Sequence, residues 1–174
     1  VMALKGIISK DLADVVEALG SIMIALASDS KDLNANVQMI REVLNSGRAY
    51  EKFKEMVVNQ GGDVEYIEEP EMFEKSKFVI PVLSTESGTV ESIDADIIGS
   101  VATYLGAGRM KDTGKINRTA GITINKKIGD TVTVGETLAY LHTEDDSKVS
   151  GPTQILREAF SKKKKKLNMK SRVL

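Results

Sequence analysis

Leu105-Gly106-Ala107-Gly108-Arg109 opens the stretch that decides the fold. Ala120-Gly121-Ile122-Thr123-Ile124-Asn125-Lys126-Lys127-Ile128-Gly129-Asp130-Thr131-Val132-Thr133-Val134-Gly135-Glu136-Thr137-Leu138 closes it. Ile122 and Ile124, Val132 and Val134, then Leu138 and Leu141 are strand-type residues at mostly alternating positions. That spacing places side chains on one face of a strand. Gly129-Asp130 and Gly135-Glu136 are turn pairs, because glycine takes positive φ without steric cost and aspartate can bond its own backbone two residues on. Short strands set apart by such turns fold back into a compact β unit, not a long open sheet.

The glycine loop has two readings. Gly106 and Gly108 beside Arg109 and Lys111 suggest a phosphate cradle. Cradles usually precede a helix, where free N–H groups point at the anion. This loop follows one, so a helix C-cap and tight turn is the better reading. Arg109 is then an ion-pair or carbonyl-binding residue. Gly106, Gly108, Arg109, Gly121, Gly129, Asp130 and Gly135 are accordingly expected to shape structural loops.

Outward from this stretch, residues 78–83 read as a strand with an edge or bulge at Pro81. Residues 88–93 read as a second strand. Asp94 or Asp96 can cap a helix over 95–105, in which Gly99 suggests close approach of a neighbouring backbone. Downstream, residues 153–160 predict a short helix, 162–166 are five consecutive lysines read as a solvated or frayed tail, and 170–174 read as a last strand. The lysine run has no interleaved aromatics of the kind that single-stranded nucleic acid stacks on.

Three helices are expected before residue 62. Leu12, Val15, Val16, Leu19, Met23 and Leu26 follow helical spacing over 9–27, with Ser9 as N-cap. Ile22, Ile24 and Ala25 widen the apolar face near its end, which calls for burial against something larger than the two helices that follow. The second helix covers 32–46 and stops at Gly47. The third covers 48–60, with Ala49, Phe53, Met56 and Val57 inward and Gly61-Gly62 as its stop. Residues 63–76 carry a run of acids with Pro70, read as a solvated connector because the spacing fits no calcium loop.

Composition narrows the classes. With 174 residues, one domain or two small ones can each bury a core. A net charge of −1 gives no global pull toward nucleic acid or anionic membrane. The absence of cysteine excludes disulfides and thiolate metal sites, and a single histidine excludes a multi-histidine zinc site within the chain. No apolar run is long enough to span a bilayer and no secretory signal opens the chain, so a cytoplasmic protein is expected. His142 alternates with apolar neighbours at a strand end, and no nucleophile is implied beside it.

The Leu-Gly-Ala-Gly-Arg loop, followed at fixed distance by Ala-Gly-Ile and then Lys-Lys-Ile-Gly-Asp-x-Val-x-x-Gly-Glu-x-Leu, resembles the C-terminal domain of bacterial pyrimidine-nucleoside phosphorylases, the thymidine phosphorylase family. Ala3-Leu4-Lys5-Gly6, Lys10-Asp11-Leu12, Glu17-Ala18-Leu19-Gly20-Ser21, Met23, Gly47, Phe53-Lys54 and Gln60-Gly61-Gly62-Asp63 extend the resemblance over roughly residues 3–160. It departs at Asn117, where the family pattern has Asp, and in the lysine-rich tail.

The resemblance implies an α+β protein. Residues 1–62 would be a helical segment of a larger α/β domain, 63–76 an acidic linker, and 77–174 a C-terminal α/β-hammerhead or barrel-sandwich-like domain. The implied activity is reversible phosphorolysis of thymidine, uridine or deoxyuridine to free base and pentose 1-phosphate. The family's Lys-His-Ser-Thr-Gly-Gly-type phosphate loop and its base-gripping Arg, Ser and Lys have no counterpart here, so no catalytic, cofactor-binding or metal residue is assigned. Phosphate as co-substrate and a structural cation would be bound by residues of the missing N-terminal half. That half is the expected partner, in a homodimeric parent enzyme, with no nucleic acid or membrane partner. The isolated chain is expected to be inactive. Two other classes remain: a stand-alone scaffold or interaction domain, and a biotinyl- or lipoyl-like carrier. For the carrier, Lys111 follows Met110, but Asp112 replaces the second Met that a biotinyl site has.

Overall fold

The computed structural model describes residues 1–109 and 115–163. The segment containing Met110, Lys111 and Asp112, lysines 164–166 and the strand expected at 170–174 lie outside the described residues. The chain forms two compact units. One covers Val1–Phe73, and the other begins at Glu74.

Helices α1 (Lys10–Ser28), α2 (Leu33–Asn45) and α3 (Arg48–Asn59) build the first unit. Their ends follow the caps. The Ser9 side chain accepts from the Leu12 amide and the Asp32 side chain from the Ala35 amide, each occupying an amide that has no partner within the helix. Gly47 takes φ 78° between α2 and α3. Helix α1 crosses α2 closely at Gly20, where an added Cβ would lie 2.7 Å from Ile40 Cδ1. Buried Asn36 donates to the Ser21 carbonyl at 3.1 Å, and Arg41 grips Glu17 with two hydrogen bonds of 2.8 and 2.7 Å.

The acidic run is more than a solvated connector. A single-turn helix, α4 (Glu65–Glu68), packs Ile67 down to 8% exposure, and the Tyr50 hydroxyl donates to the Ile67 carbonyl at 3.2 Å. Glu68 also lies 3.3 Å from Lys54. Met56, expected inward, is 45% exposed. Within Val1–Phe73, Ile67 is the only buried apolar residue, and the other two buried residues are polar, Ser21 and Asn36.

The second unit holds the hydrophobic core. Its strands are β1 (Phe78–Leu83), β2 (Gly88–Ile93), β3 (Gly121–Ile124), β4 (Thr131–Val132), β5 (Thr137–Thr143) and β6 (Phe160–Lys163). They form two three-stranded antiparallel sheets, ordered β1-β5-β3 and β4-β2-β6, with no closed barrel among the described residues. The fold is α+β. Pro81 is tolerated because β1 is an edge strand, and the register slips between Val82 and Leu83. Val82, Val90, Val132, Leu138, Leu141 and Leu156 are fully buried. Helices α5 (Ala95–Tyr104) and α6 (Ser150–Glu158) pack on one another, and Arg157 Nε donates to the Leu83 carbonyl at 2.9 Å.

Three expectations need correction here. Val134 is 65% exposed in a turn, not in a strand, because its amide is taken by Ser87 Oγ and Gly135 reverses the chain. At Gly99 an added Cβ would meet nothing within 4 Å among the described residues, so none of their backbone approaches it closely. Lys162 and Lys163 are not a frayed tail. They lie in β6, paired with Val90 and Thr89 of β2, and Lys163 forms an ion pair with Glu91. Gly88 makes room for that strand, since a Cβ there would lie 2.8 Å from the Lys163 carbonyl oxygen.

Stability should reside in the second unit. Leu141→Ala is expected to destabilise by about 2–5 kcal/mol, as urea denaturation followed by circular dichroism would measure. Leu26→Ala, at a position 81% exposed, should change it by no more than about 0.5 kcal/mol.

Candidate functional site

Asp94 opens α5 by accepting from the amides of Asp96 and Ile97. Gly106 closes it at φ 107°. The Gly106 amide donates to the Thr103 carbonyl and the Ala107 amide to the Ala102 carbonyl, both at 3.0 Å. These bonds satisfy carbonyls left over at the helix end. Both amides are therefore spent on α5 and do not point at an anion. At Gly108 a Cβ would fall 2.5 Å from Thr103 Oγ1, so packing requires glycine. Arg109 is exposed.

Asn117 sits behind this loop. Its amide donates to the Gly106 carbonyl at 2.8 Å, and its Oδ1 accepts from the Thr119 amide at 3.0 Å. An Asn oxygen serves this backbone contact as an Asp oxygen would. The Thr119 hydroxyl lies 2.6 Å from Glu144 Oε1, which also accepts from the Lys77 amide at 3.2 Å. The Thr119 hydroxyl first, then the Lys77 amide, holds the Glu144 carboxyl below the usual glutamate range.

His142 is placed between two hydroxyls. Ser76 Oγ is 3.2 Å from Nδ1 and Thr123 Oγ1 is 2.8 Å from Nε2. Asp145, near in sequence, accepts instead from the Ser147 amide. Its two ring contacts are hydroxyls, not the carboxylate that commonly orients a general base. It ties the start of β1 to β3 across β5.

The turns at Gly129-Asp130 and Gly135-Glu136 join the two sheets. Gly129 takes φ 94°, and its amide donates to the Val90 carbonyl at 2.8 Å, while the Val90 amide donates to the Asp130 carbonyl at 2.9 Å. The Asp130 carboxylate accepts from the Lys127 amide at 2.7 Å. The Gly135 amide donates to the Ser84 carbonyl, and the Ser84 amide to the Glu136 carbonyl, both at 2.8 Å. Gly121 opens β3 opposite His142. The seven loop residues therefore do not converge on one cavity. Gly106 and Gly108 shape the end of α5, and Gly129, Asp130 and Gly135 shape the β4 turns.

Sequence reasoning missed Glu136. Its carboxylate accepts from the Thr133 amide at 2.6 Å and pairs with Lys126 at 3.4 Å. A hydroxyl residue followed three positions later by Glu is the pattern that could have revealed such a reach-back. The Thr133 amide, then Lys126, holds the Glu136 carboxyl below 4.5. A carboxyl depressed on folding stabilises at pH above its unfolded value, and the effect is lost as pH falls through the folded value. Stability should thus drop as pH falls below about 4.5. Glu136→Gln should show a shallower acid-side loss in urea midpoints; an unchanged slope would contradict the clamp.

No group of three or more His, Asp or Glu among the described residues could hold a metal ion, and no described helix is long and apolar enough to cross a membrane. Residues 89–162 match the pyrimidine nucleoside phosphorylase C-terminal domain model. The chain is 40% identical over 140 residues to a pyrimidine-nucleoside phosphorylase of Staphylococcus aureus strain USA300, covering 80% of this chain and 32% of that protein. It is 37% identical over 138 residues to a pyrimidine-nucleoside phosphorylase of Staphylococcus haemolyticus, covering 79% and 32%. The chain thus spans about a third of the length of the curated relatives it matches. It belongs to the pyrimidine-nucleoside phosphorylase family and corresponds to the C-terminal portion of its members.

Proposed function

We infer that this chain serves as the C-terminal portion of a pyrimidine-nucleoside phosphorylase. The observation that carries this reading is the 40% identity to such enzymes over 80% of the chain, together with the domain match at 89–162. The full enzyme would transfer the pentose of thymidine, uridine or deoxyuridine to phosphate in the cytoplasm. A phosphate oxygen forms a bond to the anomeric carbon while the glycosidic bond breaks. The base then leaves, and (deoxy)ribose 1-phosphate forms. Catalysis of this kind depends on positioning the phosphate and stabilising the departing base.

In this reading the described residues supply neither function. Arg109 is exposed, the loop amides at Gly106 and Ala107 bond to helix carbonyls, and His142 is held between hydroxyls. The phosphate, the nucleoside and any structural cation would be held by the remaining polypeptide of a homodimeric enzyme. This chain would complete and rigidify the domain that closes over the site.

Two assays test this. The purified 174-residue chain should show no phosphorolysis of thymidine or uridine. A chimera of the Staphylococcus aureus relative, with its matching C-terminal third replaced by this chain, should retain it. Robust turnover by the chain alone, or a folded chimera without turnover, would overturn the reading.

A further inference from the structure

Helix α1 is amphipathic with its large apolar side chains on the wrong side for this chain. Leu12, Val15, Leu19, Ile22, Met23 and Leu26 share one face and are 46%, 47%, 59%, 48%, 69% and 81% exposed. The side that meets α2 is small and polar: Gly20 lies against Ile40, Ser21 against Asn36 and Glu17 against Arg41. An exposed apolar stripe of this extent on an amphipathic helix marks an interaction surface.

We propose that this face of α1 is the docking surface for the N-terminal polypeptide of a full-length phosphorylase, an uncharged apolar surface that supplies the missing core of the first unit. The proposal rests on the functional reading above and deepens it. Three observations choose this occupant. First, Val1–Phe73 contains a single buried apolar residue, Ile67. Its exposed apolar residues also include Ile7, Met39 and Val58, outside α1, so covering α1 alone would not complete it. A second copy paired through α1 covers only the stripe. Second, the relatives carry roughly twice as much further polypeptide, since the match covers 32% of them. Third, three of the four charged residues of α1 lie off the stripe. Lys10, Asp14 and Glu17 line the groove toward α2. Acids outnumber bases on the helix, and surface helices that bind anionic lipid are rich in Lys and Arg.

Met23 is a built-in reporter. Its thioether is open to peroxide when exposed and shielded when packed. In the isolated chain it should oxidise readily. In the Staphylococcus aureus chimera it should oxidise at least about tenfold more slowly. Leu19→Glu should leave the helix content of the isolated chain unchanged and remove the protection in the chimera. If that chimera fails to fold while a control chimera carrying Val134→Glu, at an exposed turn of the second unit, folds, the α1 face is equally implicated. Equal oxidation of Met23 in isolated chain and chimera, or protection that survives Leu19→Glu, would overturn the proposal. So would protection in the isolated chain that rises with concentration and disappears with Leu19→Glu, which would assign the face to a second copy. Turnover separates the two readings: a protected Met23 without phosphorolysis overturns the activity alone, and phosphorolysis with an open Met23 overturns the docking alone.

Discussion

The second unit depends on the burial of β5. Leu138, Ala139 and Leu141 are all fully buried in this strand, which runs between β1 and β3. One side of it meets Ile80, Val82, Ile122 and Ile124 of its own sheet. The same core takes in Val90 and Val132 from the other sheet and Leu156 and Phe160 from α6 and β6. Burying side chains of this size contributes roughly 1.5–3 kcal/mol each before entropy is counted. The turns at Gly129 and Gly135 matter because they return the chain to that core with its backbone groups satisfied. The first unit has no equivalent. Its helices are held by a close crossing at Gly20, one buried amide and surface ion pairs, and exposed ion pairs contribute little.

Much of this was legible before the structure. Ser9, and Asp94 as one of two candidates with Asp96, marked helix starts because a short oxygen-bearing side chain can cap the first free amides, and Ser9 and Asp94 do so. Gly106, Gly129 and Gly135 stood where the chain reverses, and all three take positive φ. What escaped depends on contacts distant in sequence. A lysine run has no strand signature. Lys162 and Lys163 become strand because β2 offers a free edge and Gly88 leaves room beside it. Ile67 looked like one apolar residue among acids, and its tie to the Tyr50 hydroxyl, in the first turn of α3, joins residues far apart in sequence. Val134 alternated correctly but fell inside a turn, where the hydroxyl of Ser87 outcompeted a strand partner for its amide.

The candidate site shows the same division. Helix polarity identified the Gly106 loop as a cap, since a loop after a helix meets carbonyls and not free amides. The Glu136 clamp and the Asn117–Thr119–Glu144 chain were not visible, because they join side chains to backbone across turns. These contacts order loops.

We infer that the first unit is completed by polypeptide beyond these 174 residues. The most direct measurement is the size of the native product, read by immunoblot of source cells with an antibody raised against this chain. A band far larger than a 174-residue protein is the predicted result, and the phosphorylase activity then belongs to that longer product. A sole band at the size of this chain would contradict the account and make the chain a free-standing scaffold.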